Sequence, residues 1–150
     1  MKLLLSVLFV LLSIAHNSAI ATTDGITIID PYVRAIPPGQ TISAAFLQLH
    51  NNSAKTNYLI KATSPIAKVV ELHEHIHDKG MMKMRRVARI EIPAKSNTLL
   101  KPGGYHIMLI DLKETLALDQ KITINLEFSD GSKQTIIAPV RKIMMKGMIK

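Results

Sequence analysis

From Gly25 onward apolar residues recur at every second position, the period of half-buried strands rather than of helices. The pattern is clearest near the end. Ile122, Ile124, Leu126 and Phe128 alternate with Lys121, Thr123, Asn125 and Glu127, an Asp130-Gly131 turn follows, and Gln134 to Val140 returns as a hairpin. Earlier, Ile26 to Asp30 reads as a first strand closed by Pro31, and Pro37-Pro38-Gly39-Gln40 marks a turn. Ser43 to His50 and Tyr58 to Ala62 are further strands, ended by Asn51-Asn52-Ser53 and Pro65. Ala67 to His77 places Val70, Leu72 and Ile76 on one face, with Glu74 the exception, and His73, His75 and His77 on the other.

Met82 to Arg89 reads as another strand, and Ile90 to Pro93 leads into the polar turn Ala94 to Asn97. Leu99-Leu100 precedes the breaker Lys101-Pro102-Gly103-Gly104, and Tyr105 to Leu112 is apolar on both faces, as befits a central strand. The one helical piece expected is a turn near Leu112 to Leu118. Seven to nine short strands without alternating helices predict an all-β antiparallel sandwich in one domain, with no internal repeat.

The first residues are set apart from that fold. Met1-Lys2, an apolar run from Leu3 to Ile14 and the small-x-small triplet Ala19-Ile20-Ala21 predict a cleaved secretory signal peptide over 1–21 and a periplasmic protein without stable membrane insertion. The expected domain is 22–140, and Arg141 to Lys150 is a basic, Met-rich tail. Past the leader, 18 basic residues face 11 acidic ones, a formal charge of +7. Such a balance suits nucleic acid, an anionic surface or an acidic protein. Export and only five aromatic residues (Tyr32, Phe46, Tyr58, Tyr105 and Phe128) argue against nucleic acid.

The chain has no cysteine, so stability must come from the core, and thiolate chemistry and a lipobox anchor are excluded. Soft donors are nonetheless concentrated. Glu71-Leu72-His73-Glu74-His75-Ile76-His77, Gly80-Met81-Met82-Lys83-Met84 and Gly103-Gly104-Tyr105-His106-Ile107-Met108 bring together imidazole and thioether, neutral ligands suited to copper(I). Two residues apart on a strand, His106 and Met108 share a face with α-carbons about 6.6 Å apart. His73 and Met84 supply a third and fourth donor. Met108 alone in an apolar strand reads as core filler, and His106 alone as a satisfied buried histidine. Together with the Met-rich loop and the histidine face they read as a site.

The spacing resembles that of periplasmic copper chaperones of the PCuAC type: a histidine, ten residues, a methionine, twenty-one residues, then His-x-Met. His73, Met84, His106 and Met108 fit it without a gap. The surrounding Val70-Glu71-Leu72-His73, Met82-Lys83-Met84-Arg85 and Lys101-Pro102-Gly103-Gly104-Tyr105 are similar too, as are Arg34-Ala35 with Pro37-Pro38-Gly39-Gln40 and the Phe128 to Gly131 hairpin. The resemblance implies a Greek-key, cupredoxin-like sandwich binding copper(I) through those four residues. It also implies a copper-accepting periplasmic partner, cytochrome c oxidase subunit II or its assembly factor, on the way to the dinuclear copper centre. Tyr32 stands where relatives often carry tryptophan.

Several features go beyond the signature. His75, His77, Met81 and Met82 are second-tier donors; His75 and His77 read either as a solvated face or as a weaker site for copper(II) or zinc. Met144, Met145 and Met148 make the tail either plain or a second copper(I) arm. Lys79, Lys83, Arg85, Arg86 and Arg89 form a basic cluster able to steer an acidic acceptor. No catalytic constellation is legible, so the chain does not read as an enzyme. A blue-copper electron carrier needs a cysteine. A periplasmic copper buffer and a sandwich module without metal stay open as alternatives.

Overall fold

Alternation along the chain builds ten strands: β1 (Ile26–Arg34), β2 (Ile42–Asn51), β3 (Asn57–Thr63), β4 (Ala67–Asp78), β5 (Met81–Arg86), β6 (Ile90–Ile92), β7 (Asn97–Leu100), β8 (His106–Leu112), β9 (Lys121–Phe128) and β10 (Lys133–Arg141). The computed structural model describes residues 25–78 and 80–142, with backbone alone at 77 and 78. The predicted signal peptide and the tail methionines Met144, Met145 and Met148 lie outside the described residues. Arg141 belongs to β10.

The strands pair in the order β5-β4-β8-β2-β1-β10-β9-β3-β6, with β7 on β2. The order doubles back so that inward residues of both halves share one core. Val33, Leu47, Leu49, Ile107 and Leu109 from the first half meet Leu59, Ile90, Ile124, Leu126 and Phe128 from the second. All pairings are antiparallel except one: β1 and β10 meet in parallel at Val33–Val140 and Arg34–Arg141. This short seam joins the two layers of the sandwich. The hairpin between β9 and β10 forms at Asp130-Gly131 as expected. Gly131 takes φ 85°, and Asp130 Oδ1 accepts from the Ser132 amide at 2.9 Å.

Two local expectations fail. Pro31 does not close β1; the strand continues to Arg34 across a register shift between Ile29 and Tyr32, where Asp30 adopts φ 46°. A bulge absorbs a proline because the displaced residue owes the ladder no hydrogen bond. Residues 112–118 form no helix. The Gln120 side chain accepts from the Ala117 amide at 2.9 Å, and Leu116 is drawn into the core, which holds the segment as a loop.

Candidate metal centre

The strand β8 lies between β4 and β2, and its alternation divides its residues sharply. Ile107 and Leu109 pack in the core, whereas His106 and Met108 project from the outer face of the sheet. The register gives each a neighbour: His106 stands opposite His73 and Met108 opposite Glu71 on β4, and Met108 stands opposite Ala44 on β2. On the far side of β4, Met84 of β5 lies directly opposite His75, Met82 opposite His77, and Arg86 opposite His73. Facing residues share a face. One outer surface thus carries His73, His75, Met82, Met84, His106 and Met108. Met81, by the same parity, belongs to the opposite face and leaves the donor set. The His77 side chain lies outside the described residues.

The same parity explains Glu74, the polar intruder on the inward face. It accepts from Arg85 Nε at 2.6 Å across the β4–β5 ladder. Parity also divides the basic cluster. Lys83 and Arg85 lie on the face away from the donors, Arg89 stacks 4.2 Å over the Tyr58 ring, and Arg86 stays beside the site.

A cavity of about 380 Å³ opens on this outer surface, walled by His75, Met82, Met84, His106 and Met108 with Phe46, Ala44 and Gly103 among its other sides. His106 is 2 % exposed, whereas Met82 and Met84 are 53 % and 54 % exposed. The donor set therefore has a fixed floor and an open, flexible wall. A larger cavity of about 520 Å³ near Ser53, Asn57 and Asp130 holds no soft donors. Several of its polar side chains are engaged with one another, such as Asn57 Nδ2 donating to Asp130 Oδ2 at 2.8 Å.

Hydrogen bonding sets the imidazoles. His106 Nδ1 donates to the Gly104 carbonyl at 2.9 Å, which leaves Nε2 with its lone pair, buried and without a protein partner. His73 Nε2 donates to Glu71 Oε2 at 2.8 Å, and Arg86 approaches the other Glu71 oxygen at 3.5 Å. That leaves His73 Nδ1 unpartnered, and His75 Nδ1 is unpartnered too. Burial, and then the neighbouring His75 and His73, push the His106 pKa down against the raising effect of the Gly104 bond. The His73 hydrogen bond holds the Glu71 carboxyl below its usual value. Imidazole nitrogens without a protein partner, on the same face as the thioethers of Met82, Met84 and Met108, are donors suited to a soft cation.

The ring centroids of His75 and His106 are 5.0 Å apart and those of His73 and His106 5.8 Å. Among the described residues no three His, Asp or Glu side chains converge as a ligand group, and the thioethers of Met82, Met84 and Met108 are the further donors beside His106. The sequence reading missed Glu71. Its signal was present, since a carboxylate two residues before His73 on a strand must share its face.

A family model described as LpqE-like matches residues 26–140. A Leifsonia xyli subsp. xyli protein with a lipoprotein name is 39 % identical over 119 residues, which span 79 % of this chain and 70 % of that one. An uncharacterized protein of Rickettsia prowazekii is 32 % identical over 63 % of this chain and 52 % of its own length. Among solved structures, the copper(I) form of DR1885 from Deinococcus radiodurans superposes with a TM-score of 0.68 at 29 % identity, covering 87 % of each chain. The copper-bound PCuAC domain of PmoF2 has a TM-score of 0.66 at 24 % identity, over 79 % of this chain and 93 % of that domain, a likeness of fold.

Proposed function

This chain belongs to the LpqE-like family of PCuAC-type copper-binding domains, with their cupredoxin-like sandwich, and from that membership we propose that it is an extracytoplasmic copper(I) chaperone. The observation that carries the reading is the gathering of β4, β5 and β8 donors on one outer face, where buried imidazole nitrogens lack protein partners. His73, Met84, His106 and Met108 are the proposed ligands. Copper here is cargo. Two imidazoles and two thioethers bring no charge, which suits a monovalent ion and leaves zinc or calcium no carboxylate-rich alternative.

The site is built for passing an ion on. His106 is fixed by Gly104 and His73 by Glu71, while Met84 hangs exposed on an edge strand where an incoming ligand can replace it. We place the destination at a periplasmic acceptor with an equally soft site, the dinuclear copper centre of cytochrome c oxidase subunit II or the factor that assembles it. X-ray absorption of the copper(I) protein should show a mixed nitrogen and sulfur shell, with Met84→Ala and Met108→Ala each losing one sulfur. An all-nitrogen shell, or no change in either variant, refutes the site. Deleting the gene should lower oxidase activity, restored by added copper. Lost copper tolerance with intact oxidase would make the protein a buffer.

A further inference from the structure

The family spacing selects His73 from β4, yet the structure places a second histidine nearer the other donors. We infer that His75 is a copper ligand of the same site, an alternative imidazole from β4 that shares the ion with His106, Met84 and Met108. The inference rests on the copper reading above and adds a donor to it.

Four observations carry it. The ladder sets His75 directly opposite Met84, whereas His73 faces Arg86 and reaches Met84 only along the diagonal. His75 walls the cavity beside Met84, His106 and Met108; His73 does not. The Gly104 carbonyl accepts both the His75 backbone amide at 3.2 Å and His106 Nδ1 at 2.9 Å, so one loop atom ties the two histidines into one frame. His75 Nδ1 is buried and lacks a protein partner.

Distances allow either histidine to bind. A metal–nitrogen bond of about 2.0–2.1 Å, with the ring centre about 1.1 Å further out, lets two imidazoles on one ion lie up to about 6.4 Å apart. Both pairs fall inside that limit, at 5.0 Å for His75–His106 and 5.8 Å for His73–His106. Two imidazoles stand two residues apart on the same face of β4, so one can take the place of the other beside His106 during ligand exchange. The same placement spends His75 on the main site rather than on a separate one with His77.

The test uses the full chain loaded with copper(I), reading the absorption-derived shell and the affinity in competition with a chelator. The variants are His73→Ala, His75→Ala, the double variant, and Met108→Ala as a control on the site itself. Each single histidine variant should keep two nitrogens and lose less than about tenfold in affinity, while the double variant loses one nitrogen and falls by more than the two singles combined. His75→Gln, which keeps a polar side chain of similar reach, should match His75→Ala. The inference is overturned if His75→Ala equals the parent and the double variant equals His73→Ala. If Met108→Ala also leaves the shell and affinity unchanged, the copper site itself is wrong, a failure distinct from that of His75.

Discussion

At the residue scale, the two donor histidines whose rings are hydrogen-bonded use opposite nitrogens for the same purpose. His106 anchors through Nδ1 and offers Nε2; His73 anchors through Nε2 and offers Nδ1. A ligand whose second nitrogen is anchored keeps its tautomer and direction, and losing such a partner typically costs about 10–100-fold in metal affinity. With His75 able to replace a misdirected His73, Glu71→Gln should cost less than about tenfold here, no more than His73→Ala. Chelator competition checks this, and an unchanged affinity would show that His73 orientation does not depend on Glu71. Burial has a further consequence in the apo protein. Because the His106 pKa is lowered on folding, the unfolded chain takes up the proton more readily below its ordinary value near 6.5. Stability on this account is unaffected well above that pH and declines as pH falls below it. Urea midpoints between pH 7.5 and 5 should drop in the parent and drop less in His106→Gln.

The strands do different work. β8 is held between β4 and β2, with Ile107 fully buried beneath His106 and Met108. Ile107→Ala should cost about 2–5 kcal/mol by denaturant titration, the range for a large aliphatic truncated in a packed core. β5 is an edge strand with all six residues exposed, and its methionines sit where the ladder ends. The chain therefore fixes its imidazoles and Met108 on inner strands and leaves the thioethers of Met82 and Met84 on the rim. The loop before β8 needs Gly103 at φ 80°, a left-handed conformation costing an ordinary residue about 1–2 kcal/mol. Gly103→Ala should lower both thermal stability and copper affinity, since the same loop presents Gly104 to both His75 and His106.

Over the whole molecule, excess positive charge surrounds a neutral donor site. Strand parity sends Lys83 and Arg85 to the far face and leaves Arg86 next to the donors, already drawn toward Glu71. On the proposed chaperone reading, steering is expected from the summed field more than from a basic rim. Transfer to an acidic acceptor should slow as salt rises past about 0.1 M, where the screening length is about 10 Å. Stopped-flow transfer rates would test it; a salt-independent rate removes the steering role. The single parallel seam of β1 on β10 gathers both halves around one core, so the outer face bearing the donors rests on a floor that neither half provides alone.

Period-two alternation from Gly25 onward was enough to give the longer strands, the Asp130-Gly131 hairpin, the all-β class and the histidine face. It did not give the short β6 and β7, which make ten strands of an expected seven to nine. A strand's alternation is covalent and local, so each side chain's face follows from its place in the run. The same logic contained Glu71, overlooked because its role becomes visible only beside His73. Local rules misjudged Pro31 and residues 112–118, where a bulge and a buried Leu116 overrode them. What no run of residues contained is which strands lie side by side and in what register. Those depend on how distant segments share one core. Folding put β4 between β5 and β8, set His75 opposite Met84, and hung both histidines on the Gly104 carbonyl. The chain supplied the soft donors. Tertiary register selected which of them meet.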